Sequence, residues 1–429
     1  MSRIHVYDEM MGSGKTSRAI ERMEGYIKED KKFIYIVPYL NEIERIRIAL
    51  PLESVKIPLS KEESNKSIVE VTLDFVDENG MYNLNIEKKF KKLNKRAQFL
   101  KFVSNGDSVL TTHSIFKSLK KEDVSLLKDY VIILDEVIDP LDIVRIGKKD
   151  IEILKEQYLI IVDETTNQVR FIDDEYNDPA FKKVKELCTN STVYCLDNHF
   201  FVWMFPIEIF KEVEEIQILT YLFEGSLLSA YLKMHSFQYI IYNNSSYSDL
   251  EKIKSLLNIY EGSANDQKNS LNSFSKTWSK NLNKNTAKKF SYKASNIIKR
   301  NFKTDAKYNA FTTFIDYKSK FSGSGYARGF ISVNARATND FKHIKSMIYL
   351  ANRFYTPQQI NFFRERGIDL NEDLWALSEL VQWIWRGCIR EGKEMNLYIP
   401  SYRMRSLLYR WLNGEFSEDS ILKIKKDIA

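Results

Sequence analysis

YDEMMGSGKTSRAI, residues 7–20, is the stretch whose reading decides the fold. Apolar RIHVY precedes it and a helical pattern, TSRAIERMEGYIKED, follows it. Strand, glycine-bearing loop and helix in that order form a phosphate cradle, because backbone N–H groups and the helix dipole converge on an anion. Gly12 and Gly14 allow the curl, and Ser13 lies between them. Lys15 is placed to reach β- and γ-phosphates, and Thr16 to offer a hydroxyl to Mg²⁺. One residue departs from the G-x-x-x-x-G-K-[ST] spacing: Glu9 stands where the first glycine belongs. That glycine eases the turn, whereas the later ones pack on the phosphates, so the loop is expected to tolerate Glu9.

A cradle needs an acid pair. VIILDEVID (131–139) supplies one at the end of an apolar strand. Asp135 is expected to hold Mg²⁺ and Glu136 to orient and deprotonate an attacking water. An ordinary strand ending in solvent-facing acids would look the same in isolation. With GSGKT upstream, the pair points to an NTPase or a kinase.

The surrounding pattern agrees. FIYIVPY (33–39), SVLTT (108–112), YVIILDE (130–136) and IQILTYLF (216–223) are short, β-branched and apolar throughout, as strands buried on both faces are. Helical periods between them predict α/β architecture with mostly parallel sheets. LIIVDETTNQVRFID reads as a β-hairpin inserted in the first domain, at about 150–200. A second α/β unit follows, with strand-like NAFTTFIDYK (309–318), GFISVN (329–334) and NLYIP, and a long helical pattern from Asn371 to Gly392. The expected division is 1–230 and 231–429.

Composition bounds the rest. At 429 residues the chain exceeds one ordinary core. Mean hydropathy of -0.37 indicates a soluble globular protein. No apolar run approaches the ~20 residues of a spanning helix, and there is no signal-peptide pattern. A cytoplasmic location without membrane contact is therefore expected. Cys188, Cys195 and Cys388 lack metal-site spacing and read as reduced thiols. The net charge of +6 is concentrated in a basic segment, 280–307, with nine Lys/Arg against one acid, Asp305. Phe290, Tyr292 and Phe302 are interleaved there. The segment suits nucleic acid, cations for phosphates and rings for bases. It equally suits a solvated helix whose aromatics face a core.

Further motifs are ordered along the chain. VPYLNEIERI (37–46), SVLTTHSIF (108–116), LDEV (134–137), LTYLFEGS (219–226), GFISVNARATND (329–340), QWIWRGCIR (382–390) and IPSYRMRSLL (399–408) follow GSGKT. In that order they resemble the superfamily 2 DNA helicases, of the DEAD/DEAH-like, bacteriophage-encoded type. The resemblance covers most of the chain and implies two RecA-like P-loop domains with ATP and Mg²⁺ between them. It implies DNA, single-stranded or forked, as partner, host cytoplasm as location, and replication or recombination as setting. It assigns Gln382, Arg386 and Arg390 to sensing and stabilising the γ-phosphate from the second domain. It assigns Thr111, Thr112 and His113, with Asn334, Arg336, Thr338 and Asn339, to the DNA backbone. Trp385 departs from the family's glycine, and Arg390 follows Arg386 by four residues in place of three. On a helix both arginines would still share a face. The third motif lacks Ser-Ala-Thr.

Other classes stay open at this point. A nucleoside kinase would suit the loop but lacks a lid or zinc-binding cysteines. A viral DNA-packaging ATPase would need clustered nuclease acids after the first domain. A nucleotide-gated scaffold would not need both acids and both arginines.

Overall fold

In the computed structural model the described residues are 2–51, 54–59, 94–197, 199–244, 247–266, 270–333 and 340–416. Three sheets organise them. The first is six-stranded and wholly parallel. Its strands are β1 (Arg3–Asp8), β2 (Phe33–Val37), β3 (Val109–Thr112), β4 (Val131–Asp135), β10 (Glu215–Thr220) and β11 (Ile240–Tyr242). Their spatial order is β11-β1-β10-β4-β2-β3. Every residue of β2, β3 and β4 is buried, which is why these strands read as unbroken apolar runs. The loop between β1 and α1 (Lys15–Lys28) lies at the carboxyl edge of the sheet, as does the end of β4. α2 (Leu40–Ala49) follows β2.

Between β4 and β10 the chain forms a second sheet, antiparallel and five-stranded, in the order β5-β9-β8-β7-β6. It comprises β5 (Leu141–Val144), β6 (Ile160–Val162), β7 (Gln168–Phe171), β8 (Thr192–Leu196) and β9 (Phe200–Met204). The expected hairpin is β6 and β7, and it is two strands of a larger body. The extra strands, β5, β8 and β9, are each four or five residues long; β5 is half-exposed at the margin, and β8 and β9 lie inside the sheet.

The third sheet is four-stranded and parallel, in the order β12-β15-β14-β13. It contains β12 (Leu257–Ile259), β13 (Asn309–Thr312), β14 (Ser346–Tyr349) and β15 (Met395–Tyr398). Its helices include α3 (Lys276–Asn281), α4 (Lys284–Ile297), α5 (Pro357–Arg364) and α6 (Glu372–Ile384). Two parallel sheets with crossover helices give the α/β, two-RecA-like architecture expected. The GFISVN stretch makes only a bridge, Phe330 to Phe311. Among the described residues no helix is long and apolar enough to cross a membrane.

The basic segment sits on α4 and the π-turn Ile298–Phe302. Phe302 is buried and Phe290 packs against Phe274 and Trp278, while Tyr292 is 69% exposed. Two of the three interleaved rings thus belong to the core, as in the reading of a solvated helix whose aromatics face a core, and Tyr292 is left outside it.

Candidate active site

The loop after β1 closes on itself. Gly12 and Gly14 have φ of 82° and 84°, a left-handed region that suits glycine. Glu9 is fully buried and holds the loop in shape. One of its oxygens accepts from the Ser13 hydroxyl at 2.8 Å and from the Arg18 guanidinium, and the other accepts from Asn244 Nδ2 at 3.1 Å. The residue that departs from the motif therefore acts as a staple between loop, helix and sheet edge. Lys15 curls back to donate to the main-chain oxygens of Glu9 and of Met10, the latter at 2.9 Å. Burial pulls its ammonium below the usual lysine range, against the opposing pull of Glu136, Glu9, Asp135 and Asp8.

Asp135 ends β4 and is buried. Its Oδ2 accepts from Tyr35 Oη at 2.7 Å and lies 3.4 Å from Thr16 Oγ1. Burial raises its carboxyl, opposed by the Tyr35 bond, Arg45, Lys15 and Thr16. Glu136 has φ of 68°, uncommon for a residue with a Cβ. Its N–H donates to Leu219 O at 2.8 Å, which pins the turn. Backbone held in such a region costs roughly 1–3 kcal/mol and is a marker of functional sites. On the other side, His113 Nε2 lies 3.0 Å from Asp135 O.

The facing wall comes from α6. Gln382 Nε2 donates to Glu136 Oε2 at 3.2 Å. The Trp385 ring lies over Gly12, so close that a Cβ there would fall 2.6 Å from Cζ2. Trp383 is core and wholly buried, whereas Trp385 faces the loop. Arg386 is buried at 6% exposure and acts electrostatically on Glu42 of α2. The shared helical face expected for Arg386 and Arg390 is not formed. α6 ends at Ile384, and Arg390 lies in a separate 3-10 turn, Cys388–Glu391, where it is exposed. The break falls at Gly387, where a Cβ would crowd Met395 Sδ at 2.5 Å and Met347 Sδ at 2.9 Å, the side chains of β15 and β14. Burial lowers the Arg390 guanidinium, as does nearby Arg45.

Three residues that the sequence did not flag belong to this site. Glu42 is buried, and burial with Asp135 and Glu136 pushes its carboxyl up to about 8, against Arg45 and Arg386. Tyr35 fixes Asp135. Asp8 accepts from the N–H groups of Leu222 at 2.6 Å and Phe223 at 3.0 Å. Burial raises Asp8 to about 6, while those N–H groups and Lys15 oppose the rise. The segment after β10 then meets α6: Ser378 Oγ donates to Tyr221 O at 3.0 Å, and a Cβ on Gly225 would lie 2.6 Å from the Trp375 nitrogen. A buried acid at a strand end was the available signal for Asp8; Glu42 and Tyr35 gave none, because their partners are distant in sequence.

Beside this cluster runs a groove of about 1230 Å³. His113, Lys117 and Val137–Asp139 line one side; Lys276, Trp278, Phe314, Arg353, Phe354, Tyr355 and Trp375 line the other. Tyr355 stacks on Trp375 with ring centres 4.3 Å apart. Of the expected DNA contacts, His113 lines this groove, while Thr111 and Thr112 are buried within β3. Asn334, Arg336, Thr338 and Asn339 lie outside the described residues.

These features define the class, an α/β protein of two RecA-like sheets with a glycine-bearing loop at their seam. A solved XPD helicase is similar in fold, with a TM-score of 0.50 at 11% identity, covering 96% of this chain and 94% of that one. An apo XPD structure matches with a TM-score of 0.49 at 12% identity, covering 97% and 96%. The family described as YonV C-terminal Rossmann-like domain matches residues 251–412, and the YonV middle domain matches 141–203. The latter range coincides with the antiparallel sheet. The SPbeta prophage-derived protein YonV of Bacillus subtilis (strain 168) is 30% identical over 439 residues, covering 97% of this chain and 100% of the relative. The chain belongs to the YonV family.

Proposed function

We propose that the chain is an ATP-dependent DNA helicase or translocase of phage DNA replication or recombination, working in the host cytoplasm. Residues 1–230 and 231–429 would be its two moving units. The observation that carries this reading is the seam itself: α6 places Trp385 on Gly12 of the loop and Gln382 on Glu136 of the acid pair. A nucleotide at the loop is then touched from both units, which couples its turnover to their separation.

The roles follow from position. Main-chain N–H groups of Gly12, Ser13, Gly14, Lys15 and Thr16 would hold the phosphates of ATP, with Lys15 exchanging its carbonyl partners for phosphate oxygens. The Thr16 hydroxyl and Asp135 carboxylate, 3.4 Å apart, are hard oxygen donors that suit Mg²⁺. Bound there, the ion would neutralise charge on the phosphates. Glu136 would orient the attacking water and take its proton. Gln382 would sense the nucleotide, Arg386 would stabilise the transferring phosphoryl group, and Arg390 would assist from its turn. The groove, with cations and stacked rings, would hold single-stranded or forked DNA. His113 would join groove to site. Asn334, Arg336, Thr338 and Asn339 are the proposed further contacts to the DNA backbone.

The purified protein is expected to hydrolyse ATP faster with single-stranded DNA present, and to separate 3′- or 5′-tailed duplexes in an ATP-dependent way. Lys15→Ala should abolish turnover with the fold intact by circular dichroism. An ATPase indifferent to DNA, together with no DNA binding, defeats the proposal.

A further inference from the structure

From Lys284 to Lys303 the sequence carries seven cations and no acid. Most of this stretch is α4, continued by the π-turn Ile298–Phe302. Its inner face is fixed by the core: Ala287, Ser291, Ala294, Ile297, Ile298 and Phe302 are buried. The cations Lys284, Lys288, Lys289, Lys293, Lys299, Arg300 and Lys303 are exposed, and none forms an ion pair among the described residues. Elsewhere on the surface Lys31, Lys117, Lys233 and Arg410 each sit against a carboxylate. Like charges at helical spacing of three and four repel, so the arrangement costs stability unless an anion covers it. The stripe also has a defined start. Trp278, Asn281 and Leu282 line the groove, and α4 begins two residues later behind the Asn283 cap.

We infer that the outer face of α4 is a second nucleic-acid surface, which takes the phosphate backbone of the strand where it continues out of the groove. This inference rests on the proposed function and extends it. The surface reads charge and not bases: Phe290 and Phe302 are turned into the core, and Tyr292 is the exposed ring of the three. The stretch spans roughly 30 Å at a helical rise of about 1.5 Å per residue. That is room for several phosphates, and neutralising them releases counterions and gives binding a steep salt dependence. A lipid headgroup surface would need an apolar edge on the same face, and Tyr292 alone does not provide one.

The test compares fluorescein-labelled oligothymidylates of about 8 and about 20 nucleotides, within and beyond the site sizes of single-strand grooves. The variant carries Lys288→Ala, Lys289→Ala, Lys293→Ala and Lys299→Ala, with its fold checked by thermal melting. The native protein should bind the longer probe at least tenfold more tightly than the shorter. In the variant that gain should vanish, and the slope of log affinity against log salt should fall by about 3 for the longer probe. Affinity for the shorter probe and its stimulation of the ATPase should be unchanged. A fourfold Lys→Arg variant should keep the gain. A variant that retains the length gain and the salt slope overturns the inference alone. Failure of the native protein to bind either probe overturns both this inference and the function on which it rests. Binding to phosphatidylserine vesicles with no preference for the longer probe overturns it in favour of a lipid surface.

Discussion

The first and third sheets share a parallel α/β design but furnish the seam in different ways. The first contributes charge at strand ends: Asp8 closes β1, Asp135 closes β4, and the loop with Lys15 rises from β1. The third contributes side chains from a helix, Gln382 and Trp385 on α6 and just beyond it, followed by Arg386. Strand ends are fixed by the hydrogen-bond ladder, whereas a helix can move as a body. On the proposed function, the first sheet would hold the nucleotide and the third would report its presence.

The sharpest way to break that division is to remove Arg386, the proposed finger. Arg386→Ala should lower DNA-stimulated turnover by about 10³-fold, as loss of an arginine finger does, with nucleotide affinity little changed. Arg390→Ala should cost only a few-fold, since Arg390 is exposed in a separate turn. Steady-state ATPase kinetics and fluorescent-nucleotide titration measure the two effects apart. Equal losses in the two variants would mean that burial does not select the finger.

The next test addresses the contact between the units. Gly12→Ala places a Cβ against the Trp385 ring and also in a left-handed backbone region, two separate penalties. A turnover loss of about 10²-fold is expected. Trp385→Ala alone should weaken nucleotide binding by about tenfold, as a lost packing surface does. In the double variant the collision is gone and the backbone strain persists, so rescue should be partial. Full additivity of the two losses would show that ring and glycine do not meet in the protein in solution.

The two sheets also differed in how legible they were. GSGKT and the DE strand could be read because their parts are contiguous and β2, β3 and β4 are apolar at every position. β14 escaped notice although SMIYLA offers a buried run, because polar FKHIK before it and NRF after it mask its edges. The antiparallel sheet was read only as β6 and β7, since β5 is short and half-exposed and finds its partner, β9, far along the chain. The common face for Arg386 and Arg390 assumed an unbroken helix, and Gly387 under β15 ends it. Trp385 was visible as a departure from pattern. Its meaning depended on Gly12, which lies at the opposite end of the chain, and no local period carries that.

A pH series sharpens the charge side of the comparison. Asp8 has a folded-state value of about 6, above the ordinary carboxylate value of 3.8. Below the ordinary value the carboxyl is neutral in both states and costs nothing. As pH rises through about 4 to about 6, the unfolded chain ionises first, so the folded state loses stability; above about 6 the loss is complete. At about 1.4 kcal/mol per unit it is on the order of 3 kcal/mol. Urea unfolding across pH 4–7 should show this decline, and Asp8→Asn should flatten it. An unchanged slope in the variant would assign the decline to other buried acids, Glu42 first among them.

The smallest effect concerns the antiparallel sheet, which belongs to the chain between β4 and β10 yet grips a helix of the other half. Arg366, just past α5, lies over the Phe362 ring at 3.8 Å and the Tyr194 ring at 4.7 Å, and donates to Thr166 O at 3.1 Å. Tyr194 meets Phe362 edge-on. Arg366→Ala removes the guanidinium from both rings and from the carbonyl, a loss of about 1–2 kcal/mol at a partly buried site. If this contact is a strap between the halves, hydrogen exchange should quicken in β7, β8 and α5 together, with the loop and β4 unaffected. Exchange that quickens only beside residue 366 would make it a local packing contact, and the antiparallel sheet would then move with the first unit alone.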